Sequence, residues 1–384
     1  MKSIRRRCAY IVSGLVLAAV GLVAAPDAGA ETETVNGEFA MLTYNVAGLP
    51  EVLSGSNPSV NQALISPLLN AYDLVLTQED FANPDPPLED VRVYHDELIS
   101  QVDFPYLSTP QVPPMGTDPQ HPDAILGDGL NFLSRMPLGT VDRVTWDDCM
   151  GIFDHASDCL ATKGFAVTTI ELVSGVTVDV YDLHADAGGA PEDQAARAAN
   201  FAQLAAYIDT HSDGHAVIVG GDMNLHTDRP VDGDVWQTFL AATRLTDVCE
   251  AVDCGADADV IDKIAFRSSA EVALTPQSHT FERERFTRDD GVPLSDHDPL
   301  HVRFSYAAQV TVEPTTTIEP TPTVEPQPTS APTSTAPAQP TIPPTTTGSE
   351  PTVAPTTTGP EPTATPTTVG PSSTAETTES VAPT

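Results

Sequence analysis

The sequence predicts an α/β domain placed between a targeting segment and a low-complexity tail. Two observations support this fold class. Short runs rich in Val, Ile, Phe and Thr alternate with helical patterns along the central part of the chain. This part, Glu31 to Ala308, has 278 residues, which is large for one domain but normal for two packed sheets.

Residues 1–30 are predicted to be a signal peptide. Lys2 and Arg5-Arg6-Arg7 form a charged start, Ile11 to Ala24 an apolar stretch, and Ala28-Gly29-Ala30 a small-residue cleavage site. No later run of the sequence approaches the about 20 apolar residues that a spanning helix needs. We therefore expect a secreted, extracellular protein, with an uncleaved anchor as the alternative.

Residues 309–384 are predicted to be a disordered tail. Val310 to Thr384 contains 25 threonines and 17 of the 36 prolines, and it contains no Lys, Arg or aromatic residue. Such a segment cannot bury enough apolar surface to offset its chain entropy. We expect an extended stalk that is O-glycosylated or associated with the cell wall.

The domain between these ends is strongly acidic. The whole chain has a formal net charge of -37, and without the leader and the tail 13 basic and 46 acidic residues remain. This charge repels polyanions and argues against a basic nucleic-acid-binding module. A salt-rich habitat would give the same composition.

The four cysteines of the domain lie in two close pairs, Cys149 with Cys159 and Cys249 with Cys254. In an exported protein we expect two local disulfides, although four cysteines allow three connectivities. Zinc binding is the alternative. Neither spacing is usual for a zinc knuckle, and metal-site histidines do not flank the cysteines.

Secondary structure in the first half follows from local patterns. Glu38 to Asn45 (EFAMLTYN) is a strand pattern, and Pro58 at a first helical position starts VNQALISPLLNAY, with Asn57 available as its cap. The next predicted strands are Asp73 to Glu79 and Gly129 to Arg135.

In the second half, a hairpin and a long helix are the clearest elements. Gly164 to Leu172 and Val176 to His184 alternate in polarity around Ser174-Gly175, which predicts two strands joined by a tight turn. PEDQAARAANFAQLAAYIDTH then repeats its apolar residues at helical spacing, which predicts a helix packed on a sheet. The later predicted strands are Ala216 to Gly221, Asp262 to Arg267 and His301 to Tyr306.

Polar residues at the ends of these strands are the candidate functional residues. Alone, each one is more often a turn or cap residue. Because strand ends in layered folds can converge on one crevice, their occurrence in series favours a shared site. They are Asn45, Glu79, His184, Asp222, Asn224, Asp262 and the pair Asp296-His297.

These residue types indicate metal-assisted phosphoester hydrolysis. Carboxylate and amide oxygens, as in Glu79 and Asn45, are ligands that Mg²⁺ or Ca²⁺ accepts. A histidine beside an acid can act as a general base near neutral pH, with the acid fixing its tautomer. Mg²⁺ is the expected cofactor, with Mn²⁺, Co²⁺ or Ca²⁺ as alternatives.

With their flanking residues, these positions resemble the motifs of the endonuclease/exonuclease/phosphatase superfamily, which includes DNase I-like enzymes. The matches span Glu38 to Phe304, and GDMN together with SDHxP is a specific combination. The resemblance implies a four-layer αββα sandwich of two packed, mainly antiparallel sheets. The matching segments are LTYNVAGL, TQED, GLNFLSRMPL, VYDLHAD, GGDMNL, VIDKIAF and SDHDPLHV.

The resemblance also implies roles for the metal ligands and the base. Glu79 is expected to be the main metal ligand, helped by Asn45 and Asp296. His297 is expected to be the general base, oriented by Asp262.

Three further residues are expected to handle the substrate phosphate. By the same resemblance, Asp222 positions or activates the attacking water, and His184 and Asn224 hold the phosphate oxygens.

One segment is similar to a branch of the superfamily, the secreted bacterial neutral sphingomyelinases. Asp158 to Phe165 (DCLATKGF) resembles the D-x-L-x-x-K-G strand entry of that branch, which implies that Asp158 and Lys163 contribute to substrate binding or activation. A loop aspartate and a solvated lysine are the alternative interpretation. Lys263 departs from the branch, because sphingomyelinases more often have Tyr there and a basic residue resembles nucleases.

These features predict a Mg²⁺-dependent phosphodiesterase that cleaves sphingomyelin, a membrane phospholipid, to ceramide and phosphocholine. An acidic surface attracts the choline cation and repels DNA, so we expect no stable nucleic-acid partner. The protein is expected to be a monomer. A secreted nuclease with Arg283, Arg285 and Arg288 as a phosphate-binding rim is one alternative, and a non-catalytic adhesin on the Thr/Pro tail is another.

Overall fold

Two β-sheets pack face to face, and helices cover their outer faces, in the computed structural model of the chain. The structure describes residues 31–85 and 92–312. The predicted signal peptide and residues 313–384 of the predicted tail lie outside the described residues. Within the described ranges, no helix combines the length and the apolar character needed to span a bilayer.

The described residues form twelve strands, five α-helices and short 3-10 segments at Asp158–Leu160 and Gly255–Asp259. The strands are β1 (Glu31–Asn45), β2 (Leu74–Gln78), β3 (Tyr106–Leu107), β4 (Asn131–Ser134), β5 (Asp142–Thr145), β6 (Gly164–Val173), β7 (Val176–His184), β8 (Val217–Asp222), β9 (Thr246–Asp247), β10 (Asp262–Arg267), β11 (Val272–Phe281) and β12 (Leu300–Val312). The helices are α1 (Pro58–Leu69), α2 (His95–Leu98), α3 (Pro191–His211), α4 (Pro230–Thr243) and α5 (Val248–Val252).

Each sheet has six strands. The first has the order β11-β12-β1-β2-β4-β3 and the second the order β5-β6-β7-β8-β10-β9. Only β1 with β2 and β7 with β8 are parallel among the paired strands described. The predicted sandwich of two mainly antiparallel sheets is confirmed.

Alternation along the strands builds three apolar layers. In β1, Phe39 and Met41 face the second sheet, whereas Leu42 and Tyr44 face the side covered by α1 and α2. The second sheet divides its side chains in the same way between the central core and the outer helices α3 and α4. Successive side chains of a strand point to opposite faces, so a strand buried on both sides is apolar at nearly every position.

The local patterns predicted the long elements well. The hairpin forms with Gly175 at φ +80° in its turn, and α3 spans the predicted helix. Several elements were missed, mostly short ones. The two long ones are α4, which contains Gly233 and two aspartates that weaken a helical pattern, and β11, which contains Pro276. Asn57 occupies the cap position of α1, but its side chain makes no capping hydrogen bond.

The last strand extends beyond the predicted domain boundary. β12 continues past Ala308 to Val312, and its final residues pair with Glu31 to Thr34 at the start of β1. The first residues of the predicted tail are therefore part of the first sheet.

The structure pairs the cysteines as predicted, Cys149 with Cys159 and Cys249 with Cys254. It also brings His279 of β11 near the second pair, with the possible ligand atoms within 4.8 Å of one another. This neighbour is distant in sequence, so the spacing of the cysteines could not indicate it. Because both sulfur atoms are in the disulfide, we assign no zinc site there.

Candidate active site

Strand ends from both sheets meet at one edge of the sandwich. β1 ends at Asn45 and the parallel β2 ends just before Glu79. In the second sheet, His184 at the end of β7 is in register with Asp222, which in turn is in register with Asp262. Parallel strands that run side by side end at the same edge, so the topology forces these side chains together.

The chain turns sharply directly after these strand ends. Ala47, Glu79 and Asn224 all have left-handed backbone conformations, with φ of 49°, 56° and 49°. Such conformations are unfavourable for residues other than glycine and cluster at functional sites. At Glu79 and Asn224 these conformations change the direction of the backbone, and both side chains line the cleft.

Asn45 lies at the centre of the cluster and is fully buried. Its Nδ2 donates to Glu79 Oε1 at 3.0 Å and to Asp222 Oδ2 at 3.1 Å, and lies 3.4 Å from His297 Nε2. Its Oδ1 accepts the backbone N–H of Ala47. Asn45 therefore holds together residues from both sheets.

His297 and Asp262 form an oriented pair. His297 Nδ1 lies 2.9 Å from Asp262 Oδ2, which leaves Nε2 toward the cleft, 3.6 Å from Asp222 Oδ2. Burial alone would lower the pKa of His297, but the carboxylates of Asp262 and Asp222 outweigh it and raise the pKa to about 11. The two acids therefore favour the imidazolium at neutral pH, and a divalent cation bound to the same cluster of carboxylates would oppose this effect and favour the neutral imidazole that a general base requires.

Asp222 is buried between two histidines. Its Oδ2 lies 3.2 Å from His184 Nε2, and its Oδ1 accepts the backbone N–H of Asn224. Burial would raise the pKa of Asp222, but His297 and His184 lower it below its usual range. Asp222 is thus held as a carboxylate at the centre of the site.

The pair Asp158 and Lys163 is buried beside His184. Lys163 Nζ lies 2.5 Å from Asp158 Oδ1 and 3.0 Å from His184 Nε2. Burial would lower the pKa of Lys163, but Asp158 outweighs it and raises the pKa. The alternative of a solvated lysine is wrong, because the Lys163 side chain is only 12% exposed and contacts the buried Asp158. The role of the pair in substrate binding or activation stays a prediction.

The two remaining predicted residues differ in placement. Asn224 lines the cleft and donates from Nδ2 to the carbonyl of Ala185 at 3.0 Å. Asp296 is exposed, and its carboxylate contacts Ser295 Oγ at 3.4 Å rather than Glu79 or Asn45. Its role as a metal ligand stays a prediction.

An open cleft of about 610 Å³ gives access to the cluster. Its polar floor includes Glu79, Lys163, His184, Asp222 and His297. Apolar side chains form much of the remaining wall. The cleft therefore places several possible hydrogen-bond donors around one space next to a histidine base.

The donor set fits a hard divalent cation. Glu79 Oε1 accepts from Asn45, and among the described residues Glu79 Oε2 has no hydrogen-bonded protein partner. Asp222, Asp262 and His297 also have possible ligand atoms within 4.8 Å of one another. Several carboxylates in so small a volume repel one another unless cations compensate them, and oxygen ligands suit Mg²⁺ or Ca²⁺.

Sequence reasoning missed two residues that shape the site. Ser295 Oγ donates to the carbonyl of Asn45 at 2.7 Å and accepts the N–H of His297. Asp80, next to Glu79, is fixed by Asn131 and by His95, whose Nδ1 lies 2.7 Å away. Ser295 and Asp80 lie inside the SDHDP and TQED motifs, so those motifs were the available signal.

Comparison with known proteins agrees with this geometry. No family model matches the chain. Curated sphingomyelinases of Mycobacterium bovis and Mycobacterium tuberculosis are each 36% identical to it over 296 residues, which cover 72% of this chain and 54% of theirs. The chain is a sphingomyelinase homologue. It spans about half the length of these curated relatives.

A solved structure supports the fold of the sphingomyelinase homologue independently. Beta toxin from Staphylococcus aureus matches with a TM-score of 0.50 and 19% identity, over 69% of this chain and 99% of the toxin chain. At this identity the likeness shows a shared fold alone. The superfamily resemblance inferred from the motifs is confirmed.

In the sphingomyelinase homologue, His297 and Asp262 should act as one unit. We expect His297→Ala to lower turnover of a soluble phosphodiester by about 10²–10⁴-fold, because it removes the base. His297→Ala combined with Asp262→Asn should cost little more, since the acid acts through the histidine. Steady-state hydrolysis of bis(4-nitrophenyl) phosphate with Mg²⁺ measures both.

The matched control for this pair is His215→Ala. His215 Nδ1 also lies 2.9 Å from a carboxylate, that of Asp179, but it does not line the cleft. This variant should retain full turnover. Multiplicative losses in the double variant, or full turnover in His297→Ala, would contradict the assigned roles.

Replacement of Lys163 should affect both stability and turnover. Lys163→Met leaves the Asp158 carboxylate buried without its cation, so we expect a loss of about 3–5 kcal/mol in unfolding free energy. Adding Asp158→Asn should restore much of the stability, but not the turnover. Urea unfolding and phosphodiester hydrolysis measure the two effects.

An exposed ion pair provides the control for Lys163. Arg92 lies 2.8 Å from Glu97 and is 63% exposed, so Arg92→Met should change stability by less than about 1 kcal/mol. Equal stability effects at Arg92 and Lys163 would show that burial of the Lys163 pair has no energetic consequence.

Proposed function

We propose that this protein is a secreted, divalent-metal-dependent phosphodiesterase that cleaves sphingomyelin to ceramide and phosphocholine. The observation that carries the proposal is the Asp158–Lys163 pair, which lies against His184 in the cleft of a chain 36% identical to sphingomyelinases. The rest of the cleft supplies a base, an orienting acid and oxygen donors for a cation. An adhesin would need none of these.

The chain's own residues account for the proton movements. His297 Nε2 faces the cleft and accepts a proton from the attacking water, while Asp262 stabilises the resulting imidazolium. Asp222 lies beside Nε2 and orients the same water. The water oxygen bonds to phosphorus, and the bond from phosphorus to the ceramide oxygen breaks. The proton that His297 took from the water passes through solvent to the ceramide oxygen, which restores the neutral imidazole.

The developing charge on the phosphoryl oxygens needs hydrogen-bond donors. Lys163, His184 and Asn224 line the same cleft as His297 and can supply them. Glu79 would hold a divalent cation, for which Mg²⁺ is our proposal, and Asn45 Nδ2 would orient the Glu79 carboxylate. The bound cation would polarise the phosphoryl group.

The arginines that could have formed a nucleic-acid rim are engaged elsewhere. Arg283 lies 2.6 Å from Asp298 and 3.1 Å from Asp257, and Arg288 lies 2.8 Å from Asp290. Arg285 lies over the ring of Tyr72. These pairings weaken the argument for an arginine rim, and the acidic domain disfavours DNA further.

Export of the protein is also a proposal. The two disulfides are typical of proteins that mature in an oxidising compartment. The leader has the charged, apolar and small-residue regions of a signal peptide. We propose that cleavage after Ala30 releases a chain that begins at β1.

The substrate can be tested by direct competition between lipid and DNA. The purified protein should release phosphocholine from sphingomyelin vesicles with Mg²⁺ and should nick plasmid DNA far more slowly at the same salt concentration. EDTA should abolish release, and Glu79→Gln should lower it strongly because it removes a ligand charge. DNA cleavage without lipid cleavage would overturn the substrate, and full activity in EDTA would overturn the metal requirement.

Export can be tested on the protein recovered from culture medium. N-terminal sequencing should begin at Glu31, and non-reducing peptide mapping should find both cysteine pairs oxidised. Recovery only from the cell interior, with free thiols, would contradict export.

A further inference from the structure

A buried acid directly follows Glu79, the main candidate metal ligand. The side chain of Asp80 is 1% exposed and pairs with His95 of α2. Neither residue lines the cleft, so neither contacts a substrate there. A buried charge is costly unless it is paired and hydrogen-bonded. Its presence beside Glu79 therefore calls for a role that acts through Glu79.

We propose that Asp80 and His95, hereafter the positioning pair, fix the backbone of Glu79 so that its carboxylate is held in place for the divalent cation. The inference rests on the proposed function, in which Glu79 holds this cation. Asp80 and His95 are positioning residues, because they act only through Glu79.

The positioning pair is an ion pair. His95 Nδ1 lies 2.7 Å from Asp80 Oδ1, and the His95 side chain is 11% exposed. Burial alone would lower the pKa of His95, but Asp80 outweighs it and raises the pKa. Hydrogen bonds between an imidazolium and a carboxylate are shorter and stronger than those between neutral groups. The contact can therefore hold Asp80 firmly.

The other polar groups of Asp80 are bonded to the first sheet and the loop before β4. Oδ2 accepts from Asn131 Nδ2 at 2.9 Å and from Thr77 Oγ1 at 3.1 Å. The backbone N–H donates to the carbonyl of Gly129, and the backbone carbonyl accepts from Asn131 Nδ2 at 2.8 Å. Asp80 is thus fixed relative to β2 and β4, and His95 adds a bond to a helix.

Helix α2 gives His95 a fixed origin. Leu98 of this helix is fully buried, together with Ile65 and Leu69 of α1, in the apolar layer outside the first sheet. Functional groups are held precisely when the residues that support them are themselves locked by packing. The positioning pair therefore connects the turn after β2 to a packed helix.

Glu79 itself adopts a conformation that needs such support. Its backbone is left-handed, with φ of 56°. Gly48 and Gly129 pack directly against it: a Cβ on Gly48 would lie 2.3 Å from the Glu79 carbonyl oxygen, and one on Gly129 3.1 Å from the Glu79 Cα. An unfavourable backbone conformation persists only where its surroundings hold it. Asp80, as the next residue, holds the peptide that follows Glu79.

Different residues hold the two ends of Glu79. Asn45 Nδ2 donates to Oε1 at 3.0 Å and orients the carboxylate, whereas Asp80 fixes the backbone that carries it. Loss of a residue that orients a metal ligand typically costs about 10–100-fold in metal affinity. We therefore expect the positioning pair to set the affinity for the cation.

Charge and position predict opposite effects when His95 is replaced. By charge alone, removal of the His95 imidazolium would strengthen the binding of a cation at Glu79, because like charges repel. Loss of the correct backbone position would weaken the binding. The direction of the change therefore decides between the two.

The test measures Mn²⁺ binding in the absence of substrate, by electron paramagnetic resonance of the free ion. In His95→Ala the dissociation constant should rise at least about tenfold. His95→Asn keeps an N–H donor near the place of Nδ1 and should stay within about threefold of the unaltered protein. Glu79→Gln identifies the binding step, because it should remove the same site.

A double variant keeps the test valid if His95→Ala fails to fold. His95→Ala leaves the Asp80 carboxylate buried without its cation, which is destabilising. His95→Ala/Asp80→Asn removes one charge of each sign, so the net charge is unchanged and no buried charge is left unpaired. It should also bind Mn²⁺ at least about tenfold more weakly.

Two measurements separate positioning from a general loss of structure. At saturating Mn²⁺, turnover of bis(4-nitrophenyl) phosphate by the double variant should return to within about threefold of the unaltered protein, because the cation then fills the site. His301→Ala is the matched control. His301 Nδ1 lies 2.9 Å from Glu282, is 17% exposed and does not line the cleft, so Mn²⁺ binding should not change.

The outcomes distinguish this inference from the proposed function. Unchanged or tighter Mn²⁺ binding in the double variant overturns the positioning pair, and so do equal losses in His95→Ala and His95→Asn or an equal loss in His301→Ala. Absence of Mn²⁺ binding by the unaltered protein overturns both the pair and the metal requirement. Weaker binding in the double variant, without sphingomyelin cleavage by the unaltered protein, supports the pair and overturns the proposed substrate.

Discussion

The two sheets pack through a shared apolar layer, and the active site lies where this layer ends. Leu74 and Leu76 of β2 belong to this layer together with Val178 and Val180 of β7. Directly beneath the site, one polar contact crosses it, from Gln78 Nε2 to Asp182 Oδ1 at 2.6 Å. Burial raises the pKa of Asp182 well above its usual range, which reduces the cost of placing the group there. The relative position of the sheets, and so of every catalytic side chain, depends on this packing.

The site itself concentrates features that destabilise a fold. Buried carboxylates crowd Asn45, and Glu79 and Asn224 adopt left-handed backbone conformations. These features persist because well-packed surroundings hold them. Lys163 contributes to both stability and the site. Its pairing with Asp158 neutralises a buried acid and keeps a cation beside His184.

A second property of the fold is that one short loop, residues 149–159, contains both an exposed and a buried side chain of the cleft. Within residues 149–159, Phe153 is exposed and Asp158 is buried, and both line the cleft. The disulfide makes this loop a single constrained unit.

The sequence by itself determined most of the central strands, the hairpin, α3 and the identity of most site residues, because these follow from local alternation and from short motifs around Asn45, Asp222 and His297. Tertiary structure decided what depends on residues distant in sequence. It placed His279 beside a disulfide, buried Lys163 against Asp158, and left Asp296 exposed. The physical reason is that burial and pairing are set by which strands become neighbours, and no local pattern contains that information.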